Sequence, residues 1–263
     1  MKKQIFAAFI LLPLIVLVFS CNKDDEQGAG TGTTVTTGSA KIIFSNMAGA
    51  SPLNVAGDSV YTNSSGETFS VTALRYYVSN FSFIKNDGSE VKMPADYYLI
   101  DQSGKTGFKR TISGIPAGTY KGVKFLIGVD SAKTVQGAQT GDLDPSNGMV
   151  WDWNTGYIFV KLEGKSPVAG TIDSVYQYHI SGYKTSNNTY ALHWAEISFG
   201  SQPLVITTSS IPQLYIKTDI LEFFQNPYNL SIVDNPVVTA SNATAVSISN
   251  NYADMFSFDH IQN

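Results

Sequence analysis

The side chains that could do chemistry in this sequence are few and clustered. Two of its three tryptophans stand two residues apart in Met149-Val150-Trp151-Asp152-Trp153-Asn154-Thr155-Gly156-Tyr157. In an extended segment that spacing points both rings the same way. The plain reading of such a pair is a core anchor, because tryptophan buries much area. The functional readings are a sugar-stacking platform, a redox-active pair or a pair beside a metal. There are three histidines, His179, His193 and His260. Imidazole is the usual nitrogen ligand for copper or zinc. No two of them have the close spacing that marks a metal site by itself, and a lone strand histidine is more often structural. Carboxylates gather at Asp130, Asp142, Asp144, Asp152 and Glu163. Asp142 and Asp144 flank Leu143 in an oxygen-rich stretch that suits calcium, although the full EF-hand pattern is absent. A carboxylate pair for glycoside hydrolysis needs a separation that sequence spacing does not fix. No Gly-x-Ser-x-Gly elbow, His-Glu-x-x-His helix or Walker loop is present, so nothing in the sequence marks a catalyst.

The elements that must position these residues read as strands. Of the residues, 14% are charged and 12% aromatic, with 14 Tyr and 15 Phe, a composition that favours strands and excludes global disorder. Short apolar runs separated by Gly, Asn, Asp and Pro clusters predict an all-β antiparallel sandwich with long loops and one or two short helices. Lys41–Phe44 is the first strand. Leu74–Lys85 runs into Asn86-Asp87-Gly88, a hairpin turn signal, with Tyr97–Asp101 as a return strand. Tyr120–Val129 follows the turn at 115–118. Further strands are expected at Ile158–Glu163, Ser174–Tyr183, Ala195–Phe199, Leu204–Thr207 and Gln213–Thr218, and short helices at Ile220–Asn226 and Ala245–Phe256. Ser131–Asn147 contains little that could be core, and a loop of that length is usually functional or mobile.

The N-terminus reads as an export device. Met1-Lys2-Lys3 precedes an apolar run, Ile5 to Phe19, that is short for a membrane span and broken by Pro13. It ends at Ser20-Cys21, which resembles the lipobox of bacterial lipoproteins and implies cleavage after residue 20 and lipidation of Cys21. The acidic Lys23-Asp24-Asp25-Glu26 resembles the signal that sends Bacteroidetes lipoproteins to the cell surface. The predicted organisation is a signal peptide at 1–20, a flexible acidic and Gly/Thr-rich tether at 21–39 and one domain at 40–263. The expected location is the cell envelope, with the chain lipid-anchored to the outer membrane on its periplasmic or outer side. Cys21 is the only cysteine, which excludes internal disulfides and Cys-rich metal sites. With 17 basic against 21 acidic residues, a nucleic-acid partner is not expected.

The order of motifs resembles a known family. Tyr76-Tyr77-Val78-Ser79-Asn80-Phe81, Ile127-Gly128-Val129-Asp130, Gly141-Asp142-Leu143-Asp144-Pro145 and the tryptophan block come in that order. Lys161-Leu162-Glu163-Gly164, His179-Ile180-Ser181-Gly182-Tyr183 and Asn251-Tyr252-Ala253-Asp254-Met255-Phe256 follow. Together they resemble the MbnP-like family of extracytoplasmic copper-binding proteins over about residues 40–263. The resemblance implies a β-rich binding protein rather than an enzyme. It also implies copper held by histidines together with a tryptophan oxidised to kynurenine by a partner di-haem protein of the cytochrome c peroxidase/MauG type. Carried onto this chain, Trp151 is the first candidate for modification and Trp153 the second. His179 is the leading imidazole, His193 a further one from outside the matched motifs, and Met149 a soft thioether for Cu(I). Asp130, Asp142 and Asp144 would hold calcium or the loop itself. The alternative is a cell-surface glycan- or protein-binding module with Trp151 and Trp153 as its aromatic platform.

Overall fold

The computed structural model describes residues 35–104, 107–137, 139–151, 156–184 and 190–263. The signal segment, Cys21, Asp152 and Trp153 lie outside the described residues. The chain runs through β1 (Thr37–Ala48), β2 (Ser51–Pro52), β3 (Tyr61–Thr62), β4 (Thr68–Lys85), β5 (Glu90–Lys92), β6 (Tyr97–Asp101), β7 (Lys109–Pro116) and β8 (Gly118–Ile127). After the short helix α1 (Ser131–Thr134) come β9 (Val160–Lys165), β10 (Val175–Ile180), β11 (His193–Ser198), β12 (Leu204–Ile206), β13 (Gln213–Asp219) and β14 (Val237–Val238). Helix α2 (Ala243–Tyr252) and β15 (Phe256–Gln262) close the chain. Among the described residues no helix is long and apolar enough to cross a membrane.

The strands form two sheets, as a sandwich requires. In one, β15, β13, β1 and β2 lie side by side and β7 also pairs with β1; in the other, the order is β11-β8-β4-β9-β10-β14, with β3, β5 and β6 on β4 and β12 on β8. All pairings are antiparallel except β1 with β13 and β10 with β14. The sheets meet through aromatic edges. Phe44 of β1 lies 6.0 Å from Tyr76 of β4 and 5.9 Å from Phe125 of β8, and Phe256 of β15 lies 5.0 Å from Phe125. Such edge-to-face contacts add to the area that these rings bury. The buried Tyr76 hydroxyl reaches across to the other sheet, donating to Asn46 Oδ1 of β1 at 2.8 Å and lying 3.1 Å from Thr218 Oγ1 of β13. A polar atom is thereby satisfied in the core.

The large sheet also carries structure on its outer face. Along β9 and β10, Val160, Leu162, Tyr178 and Ile180 are buried, while Lys161, Glu163, Gln177 and His179 between them are part-exposed. Period-two alternation thus puts the second set outward. Over part of this face the described residues of 139–151, with Tyr157, make a small apolar layer in which Leu143, Met149 and Tyr157 are buried along with Tyr77 of β4. That segment, expected to offer little core, buries Leu143 because the 3-10 turn Gly141–Leu143 aims it at the sheet.

Most expected strands occur, with shifted ends. β1 begins at Thr37, three residues before the domain start expected at 40. The helical reading of Ala245–Phe256 overran: α2 stops at Tyr252, and Phe256 opens β15, which pairs with β13. Ile220–Phe224 is a 3-10 turn, capped where Asp219 accepts from the Leu221 amide at 3.0 Å.

Candidate functional site

The described ends of the tryptophan block, an arm at 149–151 and residues 156–158, pair with each other on the outer face. Val150 bridges Tyr157, the Ile158 amide donates to Met149 O at 2.8 Å, and the Trp151 amide donates to Gly156 O at 3.2 Å. The arm is fixed at both ends. Upstream, the 3-10 turn Pro145–Asn147 is capped by Asp144, whose side chain accepts from the Ser146 amide at 2.8 Å, and it ends at Gly148 in a left-handed conformation. Downstream, Gly156 has φ +82°, and a Cβ there would stand 2.6 Å from Thr134 Cγ2. Only glycine satisfies both the conformation and the approach.

Beneath this arm lies a polar row set by sheet register. Arg75 of β4 faces Lys161 of β9, which faces His179 of β10, and Glu163 stands one outward position along from Lys161. The two cations hold the arm: Arg75 Nη1 donates to Asn147 O at 3.2 Å and Lys161 Nζ to Gly148 O at 2.8 Å. Arg75 Nε is also 3.2 Å from Asp101, which is buried. Burial lowers the Lys161 pKa. His179 Nε2 stands 2.6 Å from Glu163 Oε1. That hydrogen bond is the main reason the Glu163 carboxyl titrates below its ordinary value.

Trp151 is what this row supports. Its ring meets His179 edge-on, with centroids 6.3 Å apart and planes at 84°. It is partly buried against the core, and its indole N–H is buried with no hydrogen-bond partner among the described residues. An orphaned donor in a buried site is unusual and calls for an explanation. Trp151 is therefore a wedge between hairpin and sheet.

The other candidate residues lie elsewhere. His193 is on β11, four strand steps from β10, on the order of 19 Å at the usual strand spacing. It also faces the other way: it pairs with Ile127, which pairs with Val78, on the face shared by Tyr76, Val160 and Ile180. There it lies 3.1 Å from Ser249 Oγ of α2 and edge-on to Tyr252, and burial lowers its pKa. His179 and His193 therefore do not share a site. Met149 is fully buried, as a core side chain would be. Asp130 caps α1 through the Lys133 amide and accepts from Asn80 and Tyr97, each at 2.7 Å. Asp142 accepts from the Leu99 amide at 2.9 Å and pairs with Arg110 at 3.1 Å. With Asp144 capping its own turn, the three aspartates each hold a separate piece of the loop. No group of three His, Cys, Asp or Glu side chains that could hold a metal ion occurs among the described residues. His260 stacks on Tyr215 at 4.1 Å, away from this row in the other sheet.

Two protein donors therefore meet beside Trp151, an imidazole nitrogen and a carboxylate oxygen, and both ligand types suit Cu(II). The neighbouring cations are taken up, Arg75 by Asp101 and Lys161 by Gly148. Two donors are fewer than a transition-metal site usually takes, so the described side chains do not complete one by themselves. Sequence reasoning placed Glu163 among the carboxylates but did not join it to His179, and it passed over Lys161 and Arg75 as chemistry. Alternation along the two predicted strands marks all of them as outward; the strand pairing that joins them is a tertiary fact.

A family model described as MbnP matches residues 37–244. No curated protein matches the chain. Among solved structures, MbnP from Methylosinus trichosporium is similar at 18% identity, over 81% of this chain and 88% of that one, with a TM-score of 0.49.

Proposed function

The chain belongs to the MbnP family, and from that premise we propose that it is an extracytoplasmic copper-binding protein whose site is Trp151, His179 and Glu163. The observation that carries the reading is the indole of Trp151, held edge-on to His179 with its N–H buried and without a partner among the described residues. Nothing in an indole ligates copper well, whereas the kynurenine made from it offers an aniline nitrogen and a ketone oxygen. In that conversion the C2–C3 bond of the ring would break and each of its carbons would gain one oxygen from peroxide, two peroxide molecules being reduced to two waters. A partner di-haem protein of the cytochrome c peroxidase/MauG type would be the catalyst. Hydrolysis then releases the C2 carbon as formate, a net gain of about 4 Da.

His179 and Glu163 hold the protein's own half of the site. Their nitrogen and oxygen stand 2.6 Å apart, and because a metal takes such ligands in their deprotonated forms, copper is expected to bind more tightly as pH rises. Lys161 and Arg75 position the arm that carries Trp151. Bound copper would supply a one-electron centre or a transportable ion. In this reading the chain binds and does not catalyse, and Cys21 anchors it by lipid to the outer membrane.

The test is a copper titration against a competing chelator with native protein. Loss of His179 (His179→Ala) is expected to weaken copper at least about tenfold, as loss of a ligand does, while His193→Ala leaves affinity unchanged. Unchanged affinity in His179→Ala contradicts the assignment.

A further inference from the structure

The outer face of the large sheet carries a second tryptophan that the copper reading does not use. Trp194 of β11 is 51% exposed. It borders a depression of about 420 Å3 that is also walled by Asn80, Glu90, Lys92, Met93 and Lys124. That volume lies in the range of small-ligand sites.

The depression is built by register. Glu196, Lys124, Ser82 and Lys92 face one another in one row across β11, β8, β4 and β5, and Trp194, two residues from Glu196, shares their side. Lys124 Nζ lies 5.5 Å from the Trp194 ring centre, 3.5 Å from Glu90 and 4.0 Å from Glu196. Lys124 thus lies over the ring while the residue stays half exposed. The wall on β4 is irregular: the pairing shifts between Ser79 and Ser82, and Asn80 takes a left-handed φ of 53°. A bulge of this kind re-aims side chains and is over-represented beside binding sites, and a non-glycine residue in that region of backbone space is held there by its surroundings. Asn80 is held, its amide donating to Asp130 at 2.7 Å.

The chemistry of the walls selects the ligand. Glu90 and Glu196 balance Lys92 and Lys124, so no net charge draws in an ion. An open indole face suits the C–H face of a pyranose ring, and the ammonium and carboxylate groups around it suit ring hydroxyls. We infer that this depression is a saccharide subsite for a neutral hexopyranose unit of a glycan. Trp194 is its stacking platform, and Glu90, Lys92 and Lys124 are its hydrogen-bonding rim.

Isothermal titration calorimetry of the mature chain with cellotetraose, maltotetraose, mannotetraose and laminaritetraose tests this, with polygalacturonate as the charged comparison. At least one neutral tetrasaccharide is expected to bind. Trp194→Ala should weaken it at least about tenfold, Trp194→Phe should restore part of the loss, and His179→Ala should bind as the parent does. Circular dichroism of Trp194→Ala should match the parent, since the ring is exposed. No heat from any neutral sugar up to about 10 mM, or binding indifferent to Trp194→Ala, overturns the proposal. So does preference for polygalacturonate, which would make the subsite anionic in its choice. Self-association of the parent that Trp194→Ala abolishes, without sugar binding, overturns it in favour of a second copy of the chain.

Discussion

Trp151 and Trp194 stand on the same outer face of the same sheet and do opposite things. Trp151 is partly buried against the sheet, edge-on to His179, with its N–H buried and without a partner among the described residues. Trp194 lies half open beside a charged rim. The difference arises from what crosses the sheet. At Trp151 the arm through Asn147 and Gly148 is tied down by Arg75 and Lys161; at Trp194 no described segment crosses, and the pairing of β4 shifts beside the depression. The same residue type is thus a structural and chemical element in one place and a surface in the other. Cover decides the role.

That contrast can be broken by substitution, beginning with the cover itself. Gly156→Val forces a Cβ to within 2.6 Å of Thr134 Cγ2 at φ +82°, and thermal unfolding should show a loss of about 3 kcal/mol or more. Trp151→Ala removes a large ring packed against the core, and chemical denaturation should register about 2 kcal/mol, below the ~3–5 kcal/mol of a fully buried ring because Trp151 is only partly buried. A loss near zero would make Trp151 as superficial as Trp194.

The titrating groups sharpen the comparison through pH. Burial holds the His193 pKa below the ordinary 6.5, so below that pH the unfolded chain takes up its proton first. Stability is full above about pH 6.5 and declines as pH falls through the window beneath it. Glu163, lowered from 4.5 chiefly by its hydrogen bond to His179, contributes stability that is present above about pH 4.5 and is lost as pH falls through its folded pKa. Denaturation midpoints measured from pH 8 to pH 3 should therefore fall in two stages. His193→Gln should flatten the first and Glu163→Gln the second. A single stage that survives both substitutions would remove these groups as its cause. The smallest effect belongs to the open ring: Trp194→Ala should change stability by no more than about 0.5 kcal/mol.

How much of this was legible beforehand varies with the kind of information. The long strands were readable because alternation and turn residues are local: Tyr97–Asp101 stands where it was expected, and Asn86-Asp87-Gly88 makes the turn between β4 and β5. β15 was not, because the run from Ala245 to Phe256 reads as one helix until Phe256 meets its partner Thr218 across the sheet. At the site, Trp151 and His179 were named from motif order and are brought together. His193 was named for its type alone, and pairing places it on the opposite face. Glu163, Lys161 and Arg75 carry no motif strong enough to announce a cluster. They converge only through the β4-β9-β10 register, which no local pattern encodes. Trp194 was passed over because exposure is a property of what is not laid on top of it.

The central claim is that Trp151 is the modified residue of a copper site shared with His179 and Glu163. Its most direct test is peptide mass spectrometry joined to elemental analysis on protein purified from its own host. The account predicts a gain of about 4 Da, placed on Trp151 by fragmentation, together with one copper per chain. Unmodified Trp151 in protein that holds no copper would contradict it.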